Sequence, residues 1–250
     1  MEISIIGTGN VATHIAIALK ENNIQVSHIF GRDENRLNSI CQKVEAKAIS
    51  SFSDLPKQLC IICISDDAIA DVIPKIDADI PIAYTSGSVP ISSLLERKNI
   101  GVFYPLQTFT KNKEVNFFEV PIFIESNNEY FTQNLFDLAW KISRTVNYAT
   151  SEERAQLHLA AVFVNNFTNH IICLAQEYCE VEKIDFNHLR PLLDETISKI
   201  KHQSAFENQT GPAKRNDVRT IEIQERKLSG HAKEVYKVLT RSILNTYKNK

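Results

Sequence analysis

The sequence predicts an α/β chain: a doubly wound, mostly parallel sheet over residues 1–149, followed by an all-α dimerisation domain over residues 150–250. Three observations carry this. Short β-branched apolar runs alternate with helical stretches as far as Tyr148, the alternation that builds a parallel sheet. Gly7-Thr8-Gly9-Asn10-Val11-Ala12 stands between the first run and the first helix. From Thr150 onward helical periodicity takes over and no further strand is legible.

Taken in order, Ile3, Ile5 and Ile6 suit a strand covered on both faces. Gly7 permits the tight turn, Gly9 lets a pyrophosphate approach the backbone, and Ala12 lets the helix lie close to the sheet. The helix from about Asn10 to Lys20 directs free N–H groups and a positive dipole end at those phosphates. This is the dinucleotide-binding corner of a Rossmann fold, with Gly7, Thr8, Gly9, Asn10 and Val11 as candidate contacts. Gln25–Phe30 is the second strand and ends at Gly31-Arg32-Asp33. An acidic residue at this point would accept from the ribose of NAD. Arg32 comes first instead, and a guanidinium suits a 2′-phosphate, so NADP is expected over NAD. Asp33 is read as the cap of helix Glu34–Lys43.

Lys47–Ile49 and Leu59–Ile64 are further strands. The latter ends in Ser65-Asp66-Asp67 before helix Ala68–Ile73, with one of the two aspartates expected as cap. Ile80–Tyr84 leads into Thr85-Ser86-Gly87-Ser88, a helix is expected at Ile91–Arg97, and Ile100–Tyr104 leads into Pro105. Ser65, Asp66, Ser86, Gly87 and Tyr104 thus fall at strand ends, the edge where ligands of open α/β sheets lie. Turn chemistry accounts for Ser86 and Gly87 equally well. Strand Val120–Ile124, helix Asn128–Ile142 and strand Thr145–Tyr148 complete this domain.

Thr150 and Glu153 form a capping box for a long helix, Ser151–Glu180, whose middle is apolar nearly all round. Such a helix must be buried on several sides, which predicts packing on the first domain and on a second copy. At ~100° per residue, His158, Asn165, Asn169 and Gln176 fall within about 40° of one another as one polar stripe. His158 is the first candidate proton donor, since an imidazole titrates near about 6.5 unperturbed. Tyr104 is the second. Asn165 and Asn169 would orient the substrate or the nicotinamide amide. Helices at Asn187–Lys201, Val218–Leu228 and His231–Tyr247 follow. They flank a break at Gln209–Asp217, where Asp217 reads as a cap and Arg215 as an anchor for an anionic substrate group. The terminal Lys248-Asn249-Lys250 reads as a solvated tail.

Composition bounds the alternatives. The 250 residues carry a net charge of -2, which argues against a nucleic-acid surface. Glu2 stands where a signal peptide would be basic, and Asn165, Asn166, Asn169 and His170 interrupt the longest apolar run, so no leader and no membrane span are expected. Five irregularly spaced cysteines fit a reducing cytoplasm. Cys60 and Cys63 point to opposite faces of a strand, and no cluster has metal-ligand spacing.

GTGNVA, ISDD, TSGS, YPLQTF, HLAAVFVNNFTNH and TGPAKRND together resemble a group of bacterial two-domain proteins that carry the label NADP oxidoreductase, some by analogy to deazaflavin-dependent reductases. The resemblance spans essentially the whole chain. It implies a Rossmann domain and a helical dimerisation domain, a layout similar to ketopantoate, pyrroline-5-carboxylate and β-hydroxyacid enzymes and to prephenate dehydrogenases. The catalytic lysine of β-hydroxyacid dehydrogenases is replaced, since Ala161 and Val162 lie four positions before Asn165 and Asn166. Tyr104 stands where prephenate dehydrogenases place histidine before proline. The expected activity is hydride transfer between NADP and a small anionic carbonyl or imine compound. A non-catalytic NADP(H)-binding redox sensor or assembly protein is the alternative, and transfer to a flavin or deazaflavin a third.

Overall fold

A computed structural model describes residues 2–94, 97–111 and 113–248. The chain divides into two compact units, Met1–Asn166 and Phe167–Lys250.

The first unit is built on one eight-stranded sheet. Its strands are β1 (Glu2–Ile6), β2 (Gln25–Phe30), β3 (Lys47–Ile49), β4 (Cys60–Ile62), β5 (Ile82–Tyr84), β6 (Ile100–Pro105), β7 (Ile122–Ser126) and β8 (Val146–Tyr148). The spatial order is β3-β2-β1-β4-β5-β6-β7-β8. All neighbours are parallel except β6 and β7, where Tyr104 lies opposite Phe123. The doubly wound, mostly parallel sheet expected from the sequence is therefore present. Alternation along the strands sends residues to two separate cores. Ile3, Ile5 and Ile61 join the side covered by α1 (Asn10–Glu21), α2 (Glu34–Val44) and α4 (Glu129–Ile142), while Ile6, Cys60, Ile62 and Tyr84 join the other. Cys60 and Cys63 fall in opposite cores, as the strand reading required. Each fully buried isoleucine or leucine stabilises by roughly 1.5–3 kcal/mol, so this double core is what holds the sheet.

The helices follow their sequence signals. Buried Ala12, Ile15, Ala16 and Leu19 put one face of α1 on the sheet. Asp33 caps α2, accepting from the Arg36 amide at 3.0 Å. Glu45 ends that helix in the left-handed conformation at φ 58°. Helix α3 (Asp66–Val72) departs from expectation. Ser65 is its N-cap, and neither Asp66 nor Asp67 caps it. Both occupy the first turn, where carboxylates suit the helix dipole. At Ile91–Arg97 a short 3-10 turn, Ile91–Leu94, replaces the expected helix; Leu95 and Glu96 lie outside the described residues, as do Asn249 and Lys250 of the tail.

The capping box forms as read: the Glu153 amide donates to Thr150 Oγ1 at 3.2 Å, and Glu153 accepts from the Thr150 amide at 2.8 Å. Helix α5 (Ser151–Ala161) then passes into a π-helical segment, Val162–Phe167. The ~100° arithmetic behind the polar stripe assumes an unbroken α-helix, so it does not carry past this segment. The expectation that no apolar run reaches spanning length is also corrected. The helical stretch Ser151–Val181 has a mean hydropathy of 1.3 in its most apolar window, enough by length and composition to cross a membrane. Its interrupting residues are uncharged amides and a histidine, too few to lower that mean.

The second unit is all helical: α6 (Thr168–Val181), α7 (Arg190–His202), α8 (Ala205–Asn208), α9 (Val218–Arg226) and α10 (Gly230–Tyr247). Asp217 caps α9, accepting from the Thr220 amide at 3.1 Å. Tyr247 stacks on Phe206 at 4.6 Å between ring centroids and donates to its carbonyl at 2.7 Å. Among its described residues only Cys179 and Ala213 are buried.

Candidate active site

The strand order reverses between β1 and β4, and the crevice at that point is where open α/β sheets take their ligands. A cavity of about 1430 Å³ lies there in the first unit. It runs from the β1–α1 corner past the ends of β4 and β5 to Tyr104 and His158.

At the corner, Gly7 has φ +125°, and a Cβ there would collide with the Cys63 carbonyl oxygen. Only glycine makes this turn. Gly9 is different: a Cβ there would meet nothing within 4 Å, so its missing side chain leaves room on the cavity side rather than relieving a clash. Gly9 is the N-cap of α1 with no side-chain cap bond, and the first turn holds no acid. The first amides of a twelve-residue helix are thus left with no side-chain partner, the donor set that suits a pyrophosphate. The Asn10 amide group donates to the Phe109 carbonyl at 2.9 Å and so ties the post-β6 loop to this corner.

Beyond the end of β2, Arg32 lines the cavity with Arg36, which also sits 3.2 Å from the Asp33 carboxylate. Sequence reading singled out Arg32 and missed Arg36. The signal was a second arginine in the first turn of the helix that Asp33 caps. Two guanidiniums here fit a 2′-phosphate by charge and by forked donors.

At the opposite end, the Tyr104 hydroxyl and His158 Nδ1 are 3.0 Å apart. Gly87 packs beneath both: a Cβ there would come within 2.7 Å of Tyr104 Cζ and 2.8 Å of His158 Nδ1. Steric fit therefore requires this glycine. The Ser86 hydroxyl accepts from the amides of Ser88 and Val89 at 3.1 and 3.0 Å, so its side chain is engaged in the turn. Ser88 donates to Asp66, which fixes that carboxylate at the cavity wall. Burial pushes the Tyr104 phenol above its ordinary range; the Arg154 guanidinium pulls it back and Asp66 pushes it up.

Gly7, Thr8, Gly9, Asn10, Val11, Arg32, Ser65, Asp66, Ser86, Gly87, Tyr104, His158 and Asn165 all line this one cavity. Asn165 stands in the π-helical segment. Asn169 and Arg215 belong to the second unit and are not part of this wall. Arg154 is what sequence reading missed altogether. It is fully buried and donates to the carbonyls of Ser86 and Val89 and to the Glu125 carboxylate. An arginine four residues before His158 on an amphipathic helix reads as a solvated charge, and nothing local says otherwise. Among the described residues no cluster could hold a metal ion.

The fold and the corner define a Rossmann protein of the dinucleotide-binding class. Residues 2–121 match the family described as NADP oxidoreductase coenzyme F420-dependent, and residues 120–243 match a domain of unknown function, DUF2520. The putative NADP oxidoreductase BF3122 from Bacteroides fragilis is 35% identical over 98% of each chain, with a TM-score of 0.90. The chain belongs to this family of two-domain NADP oxidoreductases. Protein TM1727 from Thermotoga maritima is 18% identical, covering 99% of this chain and 100% of its own, with a TM-score of 0.82. An imine reductase from Myxococcus stipitatus in complex with NADP+ is 10% identical over 100% of both chains, with a TM-score of 0.70, and shares the fold. No curated protein matches.

Proposed function

We propose that this protein is an NADP(H)-dependent reductase of a small carbonyl or imine compound. The observation that carries the reading is one cavity with a vacant-sided glycine corner at one end and a paired phenol and imidazole at the other. Gly7, Gly9 and the first turn of α1 hold the pyrophosphate, and Arg32 and Arg36 hold the 2′-phosphate. Ser65, Asp66, Ser86 and Gly87 face the nicotinamide end, where the bound cofactor supplies hydride. Tyr104 and His158 act as the proton-donating pair for the alkoxide or amine that develops. Asn165 orients the substrate.

Assembly is the second part of the proposal. Ile171, Val181, Leu192 and Val238 are exposed apolar side chains in a unit with almost no interior of its own. A homodimer through the C-terminal helices covers them. The same exposed apolar surface accounts for the spanning-length hydropathy of Ser151–Val181 without a bilayer. The functional division at 149/150, no membrane or nucleic-acid partner, and a cytoplasmic setting, supported by five free thiols, complete the reading.

Oxidation of NADPH against a panel of carbonyl and imine compounds tests it. Turnover with at least one compound, reduced about 10²–10⁴-fold in Tyr104→Phe, is expected. One observation favours a non-catalytic sensor or assembly role instead: Ala161 and Val162, which line the wall, stand at the positions where the resemblance to β-hydroxyacid dehydrogenases would put a catalytic lysine. Tight NADPH binding with no oxidation by any compound would establish that role. Oxidation that needs only an added flavin or deazaflavin would place this chain with the F420-dependent description of its N-terminal family match.

A further inference from the structure

Arg154 is among the largest fully buried side chains of the protein, and it is charged. Burying a guanidinium is costly unless it is paired and hydrogen-bonded. Here it is both. Nε donates to the Ser86 carbonyl at 3.1 Å, and Nη2 to the Val89 carbonyl at 2.6 Å. Nη1 meets Glu125 at 2.8 Å. Glu125 in turn accepts from the amide and the hydroxyl of Ser151, at 3.0 and 2.8 Å. One network thus joins the turn after β5, strand β7 and the start of α5. Those three elements carry or flank Gly87, Tyr104 and His158. A fold-stabilising ion pair alone would not need to grip both ends of the turn that holds Gly87 against the Tyr104–His158 contact.

We propose that Arg154 is the positioning residue of this site, holding the Ser86–Val89 turn and helix α5 so that Tyr104 and His158 stay in hydrogen-bond contact. This rests on the reading of that pair as the proton donor. The groups facing Tyr104 are His158 and Arg154 from α5 and Asp66 from α3, with Glu125 of β7 balancing Arg154. A cation held behind a buried phenol favours its ionised form, offsetting the effect of burial. Arg154 therefore both places the donor and offsets part of the rise that burial imposes on it.

The test follows Tyr104 ionisation in the ligand-free protein by near-ultraviolet phenolate absorbance, taken as the difference between each protein and its Tyr104→Phe counterpart. Arg154→Met should raise the Tyr104 midpoint by about 1 or more, the scale on which one neighbouring charge acts. Glu125→Gln keeps the shape, leaves the guanidinium unbalanced and should lower it. Arg154→Lys keeps the charge but loses the fork, so the midpoint should stay close to wild type while turnover falls about tenfold or more. An unmoved midpoint in Glu125→Gln, or a rise there with a fall in Arg154→Met, overturns the proposal. Glu125→Gln decides alone should Arg154→Met not fold. Because the titration uses no nucleotide, absence of NADPH oxidation would defeat the reductase reading and leave this result standing.

Discussion

The two units solve the burial problem differently. In Met1–Asn166 the strands β4, β5 and β6 are buried along their whole length, and even Arg154 is sealed with every donor group that reaches a partner accounted for. In Phe167–Lys250 Leu192 is 64% exposed and Val238 65%, and two residues are buried among those described. The first unit has an interior that explains its fold; the second has the sequence of an interior without one. Helical periodicity alone cannot order a unit of that kind, since most helical stability comes from packing an apolar face. The cavity proposed as the active site lies in the first unit, and the proposed dimer draws on the second unit's exposed apolar faces.

The largest expected effect tests that contrast. If the proposed dimer forms through these faces, light scattering should find a dimer for wild type and a monomer for Ile171→Asp combined with Leu192→Asp, with the helical unit unfolding first. Unchanged mass would show that the exposed faces are not the interface. Next come the two glycines of the corner. Gly7→Ala forces a positive φ and a clash with the Cys63 carbonyl, and should cost about 1–3 kcal/mol or more in thermal unfolding. Gly9→Ala should leave stability within about 0.5 kcal/mol yet weaken NADPH binding, because its Cβ enters open cavity. Equal behaviour of the two variants would remove the distinction between a fold glycine and a ligand glycine. Arg32→Ala and Arg36→Ala should each weaken NADPH by roughly 10–100-fold, the loss of one charge-assisted contact, with NADH little affected.

The smallest effect concerns alkaline pH. Burial raises Tyr104, takes Tyr84 up to about 12 and takes Cys63 up to about 12. Groups raised in the folded state contribute stability that is whole below their unfolded values and is lost as pH rises towards the folded ones. The first unit should therefore lose stability progressively above about pH 9, starting from the ordinary thiol range. A flat stability profile to pH 12 would contradict the burial of these groups.

Most of the fold was legible because it is written locally. GTGNVA between a strand and a helix, the caps at Asp33, Thr150 and Asp217, and the β-branched runs each specify their element from neighbours in sequence. Eleven of the thirteen candidate residues on the cavity wall lie at or just beyond strand ends for the same reason, since those of a parallel sheet converge on one edge, and His158 and Asn165 reach it from the helical stretch after β8. What was not legible depends on distant partners. The π-helical segment at Val162–Phe167 has no signature in VFVNNF, and it broke the angular arithmetic. Arg154 is buried only because Glu125, Ser86 and Val89 meet it across the fold. The N-cap position of α3 falls on Ser65, whose side chain makes no capping bond, rather than on Asp66 or Asp67, a shift of one residue that sequence propensity does not resolve.

Calorimetric titration with NADPH and NADH, side by side on wild type and Arg32→Ala, tests the central claim most directly. The account predicts saturable binding with NADPH favoured by about tenfold or more, and a preference that collapses in the variant. Equal affinity for the two cofactors in wild type, or no binding of either, would contradict it.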